Sequence, residues 1–141
     1  MLPFFVYGTL RPGEHNHDLF LRGRTRAEEP ARMRGMALYD GPGYPYAVEE
    51  IGERARGGSA VSGELVTARP ESYAELLRTL DELEEYTAGD PANLYERVER
   101  EATRDDGTVV RAWVYVAAPT VAAGLRAWGK LIESGDWRTR R

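Results

Sequence analysis

The sequence predicts an α+β fold, a curved or barrel-like sheet accompanied by few helices. Three observations point there. Six runs have the length and the apolar or alternating character of strands, one stretch keeps a clean helical period, and clusters of Gly, Pro and Asp punctuate the rest. Strands that outnumber helices without regular β–α alternation favour an α+β architecture. The 141 residues suit one domain, residues 1–141, with no internal repeat and no linker.

In chain order, Leu2–Tyr7 is an apolar and aromatic run of buried-strand character. It closes in Gly8-Thr9-Leu10-Arg11-Pro12-Gly13, where two glycines and a proline enforce a turn. His15–Leu21 has the length of a short helix. Ala31–Tyr39 and Tyr46–Ile51 read as strands, split by the turn formers Asp40-Gly41-Pro42-Gly43-Tyr44-Pro45. A Gly/Arg-rich loop, Gly52–Ser59, leads to a strand at Ala60–Thr67. Pro70 suits the first turn of a helix, where its missing N–H is harmless, and Glu71–Tyr86 carries the helical period. Leu94–Thr103 and Thr108–Ala118 alternate as strands around Asp106-Gly107, a pair favoured in tight hairpin turns. Pro119–Arg141 mixes a helical stretch with Ser134-Gly135-Asp136-Trp137 and a basic end.

Composition narrows the function. A hydrophobic fraction of 42% with 30% charged residues supports a packed core under an ordinary polar surface. The absence of cysteine removes disulfides, thiolate nucleophiles and Cys-based zinc sites, and two histidines, His15 and His17, are too few for a His-rich metal site. No apolar run reaches the roughly 20 residues of a membrane span, and a net charge of −4 offers nucleic acid no general attraction. The expectation is a cytoplasmic enzyme-sized domain acting on a small molecule, with no metal and no cofactor.

Within the helical stretch, Tyr73, Leu76, Leu77, Leu80 and Leu83 share one face at about 100° per residue. Glu84 falls about 20° from Tyr73 on the same wheel, inside the apolar stripe, whereas Glu82 and Glu85 point away from it. A carboxylate aimed at an interior is costly unless paired, and desolvation raises its pKa toward the neutral range that general acid–base chemistry needs. Two readings stand: Glu84 moves protons, or it pairs with an arginine such as Arg97 and serves the fold.

The turn after the first strand also admits two readings. Gly8 lets the backbone approach a ligand, successive N–H groups there can form an anion-binding nest, and Thr9 adds a hydroxyl; alternatively it merely ends a strand. Neither a phosphate-binding Gly-x-x-x-x-Gly-Lys motif nor a dinucleotide fingerprint occurs, and no serine has a nucleophile-elbow context. His15 and His17 read as surface residues. Tyr44, Tyr46, Trp113 and Trp128 read as core or sheet packing rather than stacking platforms.

Taken in order, Tyr7-Gly8-Thr9-Leu10-Arg11-Pro12-Gly13, Leu80-Asp81-Glu82-Leu83-Glu84, Tyr95-Glu96-Arg97, Ala112-Trp113-Val114-Tyr115-Val116 and Ser134-Gly135-Asp136-Trp137-Arg138 resemble the gamma-glutamylcyclotransferase-like family, which includes the AIG2-like proteins. The resemblance runs from residue 4 to residue 138. It implies a small mixed β-barrel flanked by helices, and an enzyme that cyclises a γ-glutamyl group to 5-oxoproline and releases an amine without metal or coenzyme. It implies Glu84 as the catalytic acid/base and Tyr7, Gly8, Thr9 and Leu10 as the substrate-binding loop. One departure stands out: the family carries a glycine after the glutamate, and this chain carries Glu85. A binding protein that keeps the pocket without turnover is the alternative.

Tyr115 is a further candidate, as a hydroxyl in the pocket. A two-residue Asp106-Gly107 loop would set Tyr95 opposite Ala118 and Tyr115 opposite Val98, leaving the two tyrosines on opposite sheet faces. Arg97 reads as a structural partner.

Overall fold

The computed structural model describes residues 1–51 and 58–140. Among them run seven strands, β1 (Phe4–Val6), β2 (Thr25–Arg34), β3 (Met36–Tyr39), β4 (Tyr46–Glu49), β5 (Ala60–Ala68), β6 (Tyr95–Arg104) and β7 (Val109–Ala117), with helices α1 (Tyr73–Leu83) and α2 (Pro119–Trp128). Strands β1, β5, β2, β6 and β7 close into a barrel in that order, and β3 and β4 form a separate hairpin. Barrel neighbours are antiparallel except at the seam, where β1 runs parallel to β7 with Phe4 beside Trp113. The Trp113 N–H donates to the Pro3 carbonyl there at 2.9 Å. The barrel is therefore mixed, with helices on its flanks.

Alternation along the strands builds two cores. Phe5, Met33, Leu65, Ala102 and Val114, one from each barrel strand, pack together inside, joined by Trp137 from the C-terminal segment. The opposite faces, represented by Phe4, Val66, Tyr95 and Tyr115, lie under α1 (Leu76, Leu80) and against the β3–β4 hairpin (Tyr39, Tyr46). The apolar stripe seen in the sequence is thus the stripe that α1 buries.

Several expectations change. The single strand Ala31–Tyr39 is two strands broken at Gly35, whose φ of +75° turns the chain. Strand β2 also starts six residues early, through a polar stretch whose side chains alternate between exposed and half-buried, so that no apolar signal marks it. Pro70 opens a separate 3-10 turn, Pro70–Ser72, and α1 starts only at Tyr73. His15–Leu21 contains one turn of π-helix at His17–Leu21. His15 is exposed and His17 half-buried: the turn lays its ring against β2, where Nε2 meets the Glu28 carboxylate at the surface. Trp128 is no core residue either; at the last position of α2 it is 92% exposed. Of the Gly52–Ser59 loop, residues 52–57 lie outside the described residues, as does Arg141 of the basic end.

The register of the β6–β7 hairpin is the consequential correction. Tyr95 pairs with Ala117 and Arg97 with Tyr115. The Arg104 N–H donates to the Thr108 carbonyl at 2.8 Å and the Gly107 N–H to the Arg104 carbonyl at 2.9 Å. The loop therefore has three residues, with Gly107 at φ +90° in the left-handed position such loops need. One residue of slip transfers a whole strand's side chains to the other face. Tyr95 and Tyr115 consequently share a face.

Candidate functional site

A cavity of about 320 Å³ opens where the turn after β1, the Tyr44-Pro45 segment and the C-terminal end of α1 meet the β6–β7 ladder. Tyr7, Gly8, Thr9, Leu10 and Tyr115, the contacts expected from sequence, all line it together with Glu84. Tyr95 joins them through the corrected register.

Glu84 owes its place to the way α1 ends. Its N–H still donates to the Leu80 carbonyl at 3.0 Å, so its side chain keeps the helical direction. Beyond it the chain reverses in a Schellman motif: Glu85 N–H to Glu82 carbonyl at 3.1 Å, Tyr86 N–H to Asp81 carbonyl at 2.8 Å. Burial, with no compensating partner among the described residues, pushes the Glu84 carboxyl up from the ordinary 4.5 to about 7. Arg97 is not its partner. That guanidinium donates to Asp81 Oδ1 at 2.9 Å and lies over the Trp113 ring, 4.3 Å from its centroid. The helix end therefore holds two carboxylates a turn apart, one neutralised by Arg97 and one left to the cavity.

Glu85 occupies the left-handed position of the motif, at φ +52°. An L side chain there costs about 1–2 kcal/mol, which explains why a glycine suits the position. Glu85→Gly is expected to raise stability by about 1 kcal/mol, read as a shift of the urea midpoint with an unchanged slope.

The opposite wall is the turn after β1. A Cβ on Gly8 would stand 2.8 Å from the Cγ and Cδ of Pro45, so the two segments meet only because residue 8 lacks a side chain. The Arg11 N–H closes the turn onto the Gly8 carbonyl at 3.1 Å. Among the described residues, the N–H groups of Gly8, Thr9 and Leu10 donate to no other group, which leaves them for solvent or a ligand. Asn16 Nδ2 donates to Thr9 Oγ1 at 2.8 Å, which frees the Thr9 hydroxyl proton for the cavity. Beneath the turn, the buried Arg11 grips Glu64 through Nε (2.8 Å) and Nη2 (3.1 Å), and Asp136 through Nη1 (2.6 Å). Sequence reading gave Pro45 a turn and Asn16 a place in a short helix but put neither at the site, and left Arg11 without a role although it stands inside the turn sequence.

The tyrosines act as walls. Tyr7 donates to the Tyr115 carbonyl at 2.5 Å and accepts from the Ala47 N–H; Tyr95 donates to the Pro45 carbonyl at 2.8 Å; Tyr115 donates to Asp81 Oδ1 at 2.7 Å. Burial drives all three phenols well above their ordinary value, so they stay neutral. Tyr46, stacked on Tyr95 at 4.7 Å, is pushed up to about 12 by burial and its bond with Tyr44. The hydroxyl expected of Tyr115 is present, but its proton is committed to Asp81, and toward a ligand it can only accept. Among the described residues, no group of three or more His, Cys, Asp or Glu is placed to hold a metal ion, and no helix is long and apolar enough to cross a membrane.

Known proteins resemble this chain in sequence and in fold. The family model "Gamma-glutamyl cyclotransferase, AIG2-like" matches residues 4–139. The gamma-L-glutamyl-butirosin B gamma-glutamyl cyclotransferase of Niallia circulans is 37% identical over 113 residues, 79% of this chain and 64% of the relative, so the chain spans somewhat under two thirds of that protein's length. A Vibrio cholerae protein bearing a gamma-glutamylcyclotransferase name is 30% identical over 96% of this chain and 95% of its own. Among solved structures, an uncharacterized Pyrococcus horikoshii protein superposes with a TM-score of 0.62 at 25% identity, over 97% of this chain and 90% of that one. A mouse AIG2-like protein gives 0.62 at 24% identity over 85% and 81%, a likeness of fold.

Proposed function

We propose, because the chain belongs to the AIG2-like gamma-glutamyl cyclotransferase family, that it cyclises a γ-glutamyl group to 5-oxoproline and releases an amine or amino acid, with Glu84 as general base and then general acid. The observation that carries this reading is a carboxyl of pKa about 7, without a partner, in the same cavity as three open backbone N–H groups.

The chemistry sets the requirements. The substrate's α-amine attacks its own γ-carbonyl carbon, a C–N bond forms to close a five-membered ring, and the original amide C–N bond breaks. Holding the chain folded for ring closure is the main task, and orientation of this kind is worth roughly 7–11 kcal/mol. The amine arrives as ammonium and keeps one of its three protons as the lactam N–H. Glu84 takes the other two in turn, the first before attack and the second from the ring nitrogen after it, and delivers them to the departing nitrogen, which leaves as an ammonium. The N–H groups of Gly8, Thr9 and Leu10 donate to an anionic oxygen of the substrate, its α-carboxylate or the oxyanion of the tetrahedral intermediate. Tyr7 and Tyr115 wall the site. On this reading residues 1–141 are one cytoplasmic domain working on a small γ-glutamyl compound without a cofactor. The Niallia circulans relative, named for gamma-L-glutamyl-butirosin B, supports γ-glutamyl compounds as the class to test first.

The test is release of 5-oxoproline from γ-glutamyl amines, γ-glutamyl-lysine and glutathione, followed across pH. Glu84 works as a base only when ionised, so kcat/KM is expected to rise about tenfold per pH unit up to about pH 7 and then level off. An acid limb centred near 4.5 would remove the perturbed carboxyl from the mechanism. Saturable binding with no product from any of these compounds would leave a binding protein instead.

A further inference from the structure

Among the described residues, Glu84 and Glu85 are the only residues of charged type lining the cavity. The cations nearest them in the sequence motifs are engaged elsewhere: Arg97 on Asp81, Arg11 on Glu64 and Asp136. Among the described residues, the pocket lining therefore holds two carboxyls and no cation. A γ-glutamyl group supplies a single cation, its α-ammonium, and the cyclotransfer reading assigns that to Glu84. The second carboxylate is left without a counterpart on the glutamyl half of the substrate.

Depth then indicates which half of the substrate meets Glu85. Glu84 is partly buried and Glu85 exposed, one residue nearer solvent on the same reversing chain. The glutamyl half must reach both Glu84 and the open N–H groups, so the amine half extends toward the mouth. An uncompensated carboxylate there attracts a cation and repels an anion at short range.

We infer that Glu85 is a specificity-determining residue that pairs with a positive charge on the leaving amine, so that γ-glutamyl amides of diamines and other cationic amines are the preferred substrates. This rests on the cyclotransfer reading and names its substrate class. The pair forms at an exposed rim, where such contacts are worth a modest factor, about fivefold.

Two amides of matched length separate the outcomes: γ-glutamyl-diaminobutane, ending in an ammonium, and γ-glutamyl-pentylamine, ending in a methyl. The wild-type enzyme is expected to favour the ammonium by about fivefold in kcat/KM, mostly through KM, and less so in about 0.5 M salt. In Glu85→Gln the ratio is expected to fall to within about twofold. Equal kcat/KM in the wild type, or a preference retained by Glu85→Gln, would overturn the role of Glu85 while leaving cyclotransfer intact. If neither amide yields 5-oxoproline, cyclotransfer itself fails, and the ratio of Kd values for the same pair, measured calorimetrically on both proteins, decides whether Glu85 recognises a cation.

Discussion

Glu84→Gln is expected to lose at least about 1000-fold in kcat/KM for 5-oxoproline release and, at pH 8, to fold more stably than the wild type. Both effects come from one fact, a carboxyl held in a cavity without a partner. Glutamine keeps the shape and can neither take the ammonium proton nor return it. The stability effect has a definite sign. The folded carboxyl titrates at about 7 and the unfolded one at 4.5, so the fold favours the protonated form. That advantage is full below pH 4.5 and disappears as pH rises through 7. Relative to a neutral side chain, ionised Glu84 therefore burdens the fold at pH 8 by up to about 3 kcal/mol, at 1.36 kcal/mol per pKa unit. The neutral amide removes that burden, less whatever its own desolvation takes back, so a gain of about 2 kcal/mol at pH 8 and none at pH 4 is expected from urea unfolding. Activity within tenfold of wild type would exclude Glu84 from proton transfer. A gain over wild type no larger at pH 8 than at pH 4 would mean that the carboxyl sits in a wetter place than the cavity provides.

The two halves of the site differed in how far the chain alone revealed them. Glu84 was visible because a helix converts spacing into direction: an acidic residue at the angular position of Tyr73 and Leu80 has to face what they face. The Schellman end preserves that direction one residue past α1. Gly8-Thr9-Leu10 was visible as a turn, but its purpose depends on Pro45 and Asn16, whose local patterns as a turn former and a short-helix residue do not say that they meet it. Tyr95 and Tyr115 show the limit most plainly. Their alternation was legible, yet whether they share a face depended on one residue in a loop, and Asp106-Gly107 fits a three-residue loop with glycine in the left-handed position as well as a two-residue one. The polar half of β2 was invisible for the opposite reason: its pairing with β5 comes from backbone hydrogen bonds at a surface where side chains carry no periodic apolar signal.

Arg11→Met is expected to destabilise the fold by about 3–5 kcal/mol and to abolish 5-oxoproline release with it. Arg11 is 5% exposed and Glu64 7% exposed, so removing the guanidinium leaves a buried carboxylate on β5 with only Arg138, 4.0 Å away, as a cationic neighbour, and takes from Asp136 its ion pair. The same side chain ties the turn after β1 to the C-terminal segment, and that turn presents the open N–H groups of Gly8, Thr9 and Leu10. Arg11→Lys is expected to fall between, because an ammonium cannot contact both Glu64 oxygens and Asp136 in the guanidinium's planar geometry. The double variant Arg11→Met with Glu64→Leu separates the two roles. It removes the stranded charge along with the pair, and buried pairs replaced by apolar residues of similar size often lose little stability. Most of the stability is therefore expected to return, while activity stays low because nothing holds the turn in register with Glu84. Recovery of both together would show that the turn keeps its shape through Pro45 and the Arg11 backbone alone, with the arginine contributing only charge balance.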